Sequence, residues 1–310
     1  MPNEPRPKGV AEPLKRKIAL HRSRTRGLAY MVMASLLFSV MNVCVYAVAI
    51  YQPELSAMTV SFVRVSVNLV ILVIPALAAG RPASLFGDGR ASLWLRGLFG
   101  AVALMLSFTA IQRIGPGESS FLNASSGLFV VLLGPWLLSQ RNSRATWLAV
   151  LGAFAGIFLL FEPRWDGDDF PGRAMALLGG LLSALAYLMV ARAGRSNSPE
   201  SVIFYFCLVA ITLHVAWFAW AGYSIPTLPE IWALMLLGGL AASGAQHFMT
   251  RAYQTAPAAL VSAVGYAAPV LSLAWGIVFF DRIPDPRALV GCALVLGFGV
   301  LLPFLTRAER

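Results

Sequence analysis

Residues 110–138, AIQRIGPGESSFLNASSGLFVVLLGPWLL, align without a gap with residues 252–280, AYQTAPAALVSAVGYAAPVLSLAWGIVFF, at an offset of 142 positions. Few positions are identical, but Gln112 meets Gln254 and the pattern of small and apolar residues is shared throughout. A repeat of this length predicts that the chain consists of two copies of one structural unit.

Each copy is dominated by long apolar stretches. The chain is 58% hydrophobic and 12% charged, with a mean hydropathy of +0.72, whereas about 25% of the residues of a soluble protein are charged. Only helices and closed barrels satisfy the backbone in lipid, and these continuous runs lack the alternation of a barrel. We therefore predict an all-α polytopic membrane protein with ten transmembrane segments, at 27–50, 56–79, 93–113, 118–138, 145–161, 172–192, 201–222, 230–250, 258–280 and 287–305.

The repeat divides these ten segments into two halves of five. At its start the repeat pairs 27–37 with 172–182, at a slightly different offset. Because five is odd, the second half crosses the membrane in the opposite sense, which predicts an inverted repeat. The predicted organisation is a basic tail, a first half, an external acidic loop, a second half and a C-terminus, at 1–26, 27–161, 162–171, 172–305 and 306–310.

Basic residues are distributed unevenly over the two membrane sides. The tail, the even-numbered loops and the C-terminus, with Arg96 included, carry 18 Lys and Arg, and the odd-numbered loops carry five. Cytoplasmic loops are the ones enriched in Lys and Arg, so we expect both termini in the cytoplasm and the protein in the inner (plasma) membrane. We interpret the tail as disordered and uncleaved, and the net charge of +10 as a topology signal attracted to anionic lipid rather than to nucleic acid.

Three stretches carry a resemblance to a known family. They are FVRVSVNLV at 62–70, LRGLFGAVALMLSFTAIQRI at 95–114 and DRIPDPRALVGCALVLGFGVLL at 281–302. Together with the tandem five-helix repeats, they resemble the EamA-type branch of the drug/metabolite transporter superfamily over about residues 27–305. The resemblance implies a carrier of small metabolites, commonly an exporter of amino acids or related compounds, with a central cavity lined mainly by segments 1, 3, 4, 6, 8 and 9.

Polar residues of the first half mark one depth in the membrane. Asn42, Arg64 and Ser126 each lie eight residues from the outer end of their segment, or about 12 Å deep. Asn123 shares a helical face with Ser126. Such groups are costly against lipid, so we expect them to face a cavity or other helices. Interhelical hydrogen bonding is the other interpretation for Ser and Asn, and both structural and substrate-binding roles stay open for Arg64.

The second half supplies aromatic candidates, for which packing is the alternative interpretation. Hydroxyl groups on one wall and an arginine opposite would suit a small zwitterion or carboxylate with an apolar body. No acidic residue lies deep in the segments, so the only candidates for proton coupling are Glu118, His214 and His247. The predicted substrate site comprises Asn42, Arg64, Asn123, Ser126, Tyr187, His247, Tyr266 and Trp275.

We predict a transporter, and an exporter of amino acids or related compounds as its first form. An opine-type metallophore exporter and an uptake carrier for a metabolite such as S-adenosylmethionine are alternatives within the superfamily. An intramembrane serine hydrolase is the alternative of another class, since Ser243 and His247 are four residues apart, although a nucleophile and base on one helix is an unusual geometry. A non-transporting scaffold is the third. The sequence has no metal-ligand or cofactor motif.

Small residues recur in the fifth and tenth segments. Gly152 and Gly156 form a small-xxx-small face, as do Ala293 and Gly297. Such faces let helices approach closely. We expect these two segments to form a peripheral pair that also offers a homodimer surface, and packing within the monomer is the alternative.

Overall fold

A computed structural model of the protein describes residues 11–138, 144–161, 169–256, 258–281 and 283–305. These residues form α-helices, one short 3-10 helix at Pro82–Leu85 and no strand. Among them, seven helices are long and apolar enough to cross a membrane. The helices are α1 (Ala11–Tyr51), α2 (Ala57–Ala78), α3 (Ala91–Ile114), α4 (Pro116–Asn123), α5 (Ser126–Leu138), α6 (Arg144–Phe161), α7 (Phe170–Ala193), α8 (Pro199–Ala221), α9 (Pro229–Thr255), α10 (Ala258–Gly265), α11 (Ala267–Phe280) and α12 (Pro286–Leu305).

The first helix is longer than the sequence suggests. It begins at Ala11, so the disordered tail expected for 1–26 is wrong for 11–26, while residues 1–10 lie outside the described ranges. The stretch is rich in Ala, Leu, Lys and Arg, which are strong helix formers, and Pro13 falls in the first turn, where it removes no helical hydrogen bond. The acidic loop 162–171 is described only at its end, from residue 169.

Segments 4 and 9, predicted as continuous helices, are each divided in two. The first becomes α4 and α5, and the second becomes α10 and α11. The first break falls at Ala124 and Ser125, and the second falls at Tyr266, directly after Gly265. Serine competes for backbone hydrogen bonds and glycine weakens helices, which explains both breaks. Interrupted helices of this kind occur in membranes only where they are buried in protein or line a cavity.

The helix boundaries carry the duplication. The starts of α2 and α8, Ala57 and Pro199, lie 142 residues apart, as do the ends of α1 and α7, Tyr51 and Ala193. The same offset relates both ends of α4 to those of α10. The first helices therefore follow the common offset rather than a different one.

Helix packing repeats in the same way. α1 packs against α9, and its counterpart α7 packs against α3, the counterpart of α9. α2 contacts α8, and α6 contacts α12, so these helices pack against their own repeat partners. Exchanging the two halves maps these contacts onto one another, as expected for two copies related by a pseudo-two-fold axis.

The α6–α12 pair uses the glycines singled out in the sequence. A Cβ on Gly156 would lie 2.8 Å from the carbonyl oxygen of Gly291, and one on Gly152 would overlap the ring of Phe298. Both glycines thus serve contact within one chain. Gly297 has open space at its Cβ position, and self-association through this face stays a prediction.

Candidate substrate-binding cavity

A cavity of about 190 Å³ lies between the two halves. Its walls come from α1, α3, α4, α5, α7, α9, α10 and α11, the segments that the family resemblance implies. α2 and α8 contribute one side chain each, Arg64 and Phe206. Both helix breaks face the cavity, through Ala124 and Tyr266. Broken helices in transporters surround substrate sites in this way.

Two arginines dominate the electrostatics of this cavity. Arg64 is 5% exposed and Arg96 is 3% exposed, and their guanidinium carbons lie 5.6 and 4.8 Å from the ring centroid of Phe206. The Nε atoms of both arginines have no hydrogen-bond partner among the described residues. No Asp or Glu is among the described side chains that line the cavity. The aromatic ring offsets only part of the cost of burying the charges.

Arg96 corrects the charge count made from the sequence. Its position one turn into α3 predicts a charge that reaches the cytoplasmic surface, but the structure buries it in the cavity. Gly100 makes this placement possible, because a Cβ there would overlap Nη1 of Arg96. The side chain therefore folds along α3 toward its C-terminal end instead of snorkelling to the near end of the helix. The signal that could have found it is one helical face, since Arg96, Gly100, Ala103 and Ser107 all line the cavity at i, i+4, i+7 and i+11.

Asn42 and Asn123 line the cavity and also connect helices. The Asn42 amide donates to Ser120 Oγ at 2.7 Å and to Ser272 Oγ at 3.0 Å, which joins α1 to α4 and α11. The Asn123 amide donates to Ser107 Oγ, which joins α4 to α3. The interhelical role left open for asparagine is therefore occupied at both positions, whereas Arg64 has no such bond.

Aromatic residues form the wall contributed by the second half. Tyr187 stacks on Tyr253, with ring centroids 5.1 Å apart and an interplanar angle of 19°. The Tyr253 hydroxyl lies 3.0 Å from Ser262 Oγ, while the Tyr266 hydroxyl is buried without a hydrogen-bond partner among the described residues. Gln246, which the sequence reasoning missed, also lines the cavity.

Two predicted site residues lie elsewhere. Trp275 donates from Nε1 to Ser39 Oγ at 3.1 Å and joins α11 to α1 outside the cavity lining. His247 is half-buried on α9, where its neighbour Gln246 faces the cavity instead. Of the eight candidates, the structure brings six together: Asn42, Arg64, Asn123, Ser126, Tyr187 and Tyr266.

The serine–histidine pair of the hydrolase alternative is not formed. Ser243 Oγ donates to the carbonyl oxygen of Gly239 at 2.8 Å, and no hydrogen bond joins it to His247 in the described structure. A nucleophile needs its base within hydrogen-bond reach. The observed geometry therefore offers no activated serine on α9.

The remaining candidates for proton coupling are engaged away from the cavity. His214 is fully buried, with Nε2 2.6 Å from Ser61 Oγ and Nδ1 2.7 Å from the carbonyl oxygen of Ala210. Glu118 accepts from Nε of Arg173 at 2.5 Å, which joins α4 to α7. Neither histidine nor carboxylate is a cavity-lining group in the described residues.

Both halves of the chain match known proteins. The model of the EamA-like transporter family matches residues 25–162 and 170–304, one match for each half. The pseudopaline exporter CntI of Pseudomonas aeruginosa is 27% identical over 87% of this chain and 93% of its own. Solute carrier family 35 member G1 of Mus musculus is 26% identical over 83% of this chain and 73% of its own. A crystal structure with 20% identity, covering 92% of this chain and 99% of its own, shares the fold with a TM-score of 0.70.

Each half of the chain is thus matched by the same family model, and the duplication and the family resemblance predicted from the sequence are confirmed. The chain belongs to the EamA-like transporter family of the drug/metabolite transporter superfamily and is a membrane transporter.

Proposed function

We propose that the protein moves a small metabolite across the inner (plasma) membrane by alternating access, and that it is an exporter of amino acids or related zwitterionic or carboxylate compounds. The observation that carries this proposal is the cavity between the two halves, in which Arg64 and Arg96 lie without a counter-charge among the described lining residues. Unpaired buried charges at membrane depth mark substrate or ion pathways.

Alternating access follows from the proposed topology. With five crossings in each half, the halves have opposite orientations, both termini are cytoplasmic, and the cavity lies at their interface. The proposed units are the two halves at 27–161 and 172–305. Rocking of one half against the other would expose the same cavity to either side of the membrane in turn.

An opine-type metallophore exporter is the second candidate. The similarity to a pseudopaline exporter over most of both chains favours it. Uptake of an S-adenosylmethionine-like compound has less support, because a cationic sulfonium would be repelled by two neighbouring arginines. Nothing in the geometry favours the hydrolase or scaffold alternatives.

The proposal is tested by untargeted metabolite profiling of cells with and without the protein, followed by transport of the affected metabolite in proteoliposomes. Export predicts that one compound accumulates inside cells that lack the protein and leaves protein-containing vesicles faster than empty ones. Unchanged metabolite pools together with no flux of any affected compound would overturn it. Ser243→Ala serves as the control for the hydrolase alternative and should transport normally.

A further inference from the structure

We propose that Arg64 and Arg96 form a single anion-binding subsite, and that the substrate places two negative charges there, as a dicarboxylate does. The proposal rests on the transport function above and narrows its substrate class. It is distinct from binding of an amino-acid zwitterion, which brings no net charge to the cavity.

The charge balance of the cavity supports a doubly charged ligand. Both guanidinium groups are more than nine-tenths buried, and no acidic side chain is found among the described lining residues. A zwitterion would leave the net charge of the site unchanged, and a monocarboxylate would neutralise half of it. A dianion neutralises both arginines, and buried charges are stable when they are paired and hydrogen-bonded.

The two arginines converge on one place. Both guanidinium groups lie against the ring of Phe206, although one arginine comes from α2 and the other from α3. Gly100 leaves the space that Nη1 of Arg96 occupies. The planar fork of a guanidinium presents paired donors that match a carboxylate, so two arginines at one ring suit a ligand with two carboxylates.

The unused hydrogen-bonding groups of the cavity point the same way. The Nε atoms of Arg64 and Arg96, the Nε2 atom of Gln246 and the hydroxyl of Tyr266 are buried and have no partner among the described residues. Three of these four groups can only donate. A ligand rich in acceptor oxygens satisfies them, whereas an ammonium group would add further donors.

A matched series of four-carbon probes tests the charge requirement. The purified full-length protein in detergent is heated with succinate, butyrate, 4-aminobutyrate or putrescine, which share a chain length and differ in charge. We expect succinate to raise the melting temperature at the lowest concentration, butyrate to need about tenfold more, and the other two to have no effect. No stabilisation by succinate, or equal stabilisation by 4-aminobutyrate or putrescine, would overturn the proposal.

Variants assign the effect to the two arginines. Arg64→Gln and Arg96→Gln should each raise the succinate concentration needed for half-maximal stabilisation by about tenfold or more. Without ligand, neither variant should melt earlier than the parent, because each removes an unpaired buried charge. Earlier melting of both ligand-free variants with unchanged succinate dependence would assign the arginines to structure and contradict the subsite.

Gly100→Ala displaces Arg96 without removing its charge and should weaken the succinate effect. Gly297→Ala is the matched control, since its added Cβ meets open space, and it should behave as the parent does. Metabolite profiling separates the two levels of the account. A metabolite that depends on the protein, together with no succinate effect, would leave transport in place and refute the dianion subsite; unchanged metabolite pools would refute the transport proposal itself.

Discussion

Arg64 of α2 and Phe206 of α8 occupy equivalent positions of the two repeats, 142 residues apart, and they contact each other, with the guanidinium carbon 5.6 Å from the ring centroid. Residues that are exchanged by a pseudo-two-fold axis can touch only close to that axis. The axis of an inverted repeat lies in the membrane plane. Arg64 is thus placed where the two halves meet and where the cavity lies.

Replacing Arg64 by lysine tests its role in binding. Arg64→Lys keeps the charge but loses the planar fork, so we expect folded protein in the membrane with transport lowered by roughly tenfold or more. Membrane yield and size-exclusion profile check the fold, and flux in proteoliposomes checks the activity. Loss of folded protein with normal specific activity of the remainder would assign Arg64 to structure.

Transport should not require a proton gradient. The described cavity lining contains no carboxylate or histidine, and Glu118 is paired with Arg173, so no titratable acid faces the substrate path in these residues. We expect flux in proteoliposomes to follow the substrate gradient alone. Strict dependence on an imposed proton gradient, abolished by Glu118→Gln or His247→Gln, would contradict this prediction.

Asn42 should contribute to stability more than its size suggests. Asn42→Ala removes two hydrogen bonds that join α1 to α4 and α11, at a cost of about 1–3 kcal/mol. Thermal unfolding in detergent measures the effect. Thr212→Ala is a suitable control, because its hydroxyl is exposed and bonds only within α8. Equal melting of the two variants would mean that the Asn42 bonds do not hold the helices together.

The glycines of α6 and α12 should respond differently to leucine. Gly152→Leu collides with Phe298 and should lower the stability of the monomer by about 1–3 kcal/mol. Gly297→Leu enters open space and should leave the stability unchanged. If this face also joins two protomers, Gly297→Leu alters the oligomer size in detergent with transport intact; an unchanged size would argue against the homodimer.

The fold could be predicted largely from the sequence because its determinants are local. Segment length and apolar composition predict the helices, and the offset of 142 residues recurs in their boundaries. The breaks before Ser126 and after Gly265 were missed, since small and polar residues are common inside membrane helices and interrupt them only where neighbouring groups stabilise the ends.

The site was less predictable because its geometry depends on distant residues. Arg96 lies near a helix end, where an arginine ordinarily reaches water, and only the packed structure places it beside Phe206. Asn42 finds partners 78 and 230 residues away, which no local pattern indicates. Trp275 has the composition of a cavity residue, but its indole is bonded to Ser39.

Access to the cavity from both sides of the membrane tests the central claim most directly. Ala268 lines the cavity, so Ala268→Cys, with the three native cysteines replaced by alanine, is treated with a membrane-impermeant maleimide on right-side-out and inside-out vesicles. Ser84→Cys and Tyr223→Cys, in exposed connections between helices, report the inner and outer sides, respectively. Alternating access predicts that Ala268→Cys reacts from both sides and that substrate slows both reactions, while each connection cysteine reacts from one side. Labelling of Ala268→Cys from one side only, in actively transporting protein, would contradict the account.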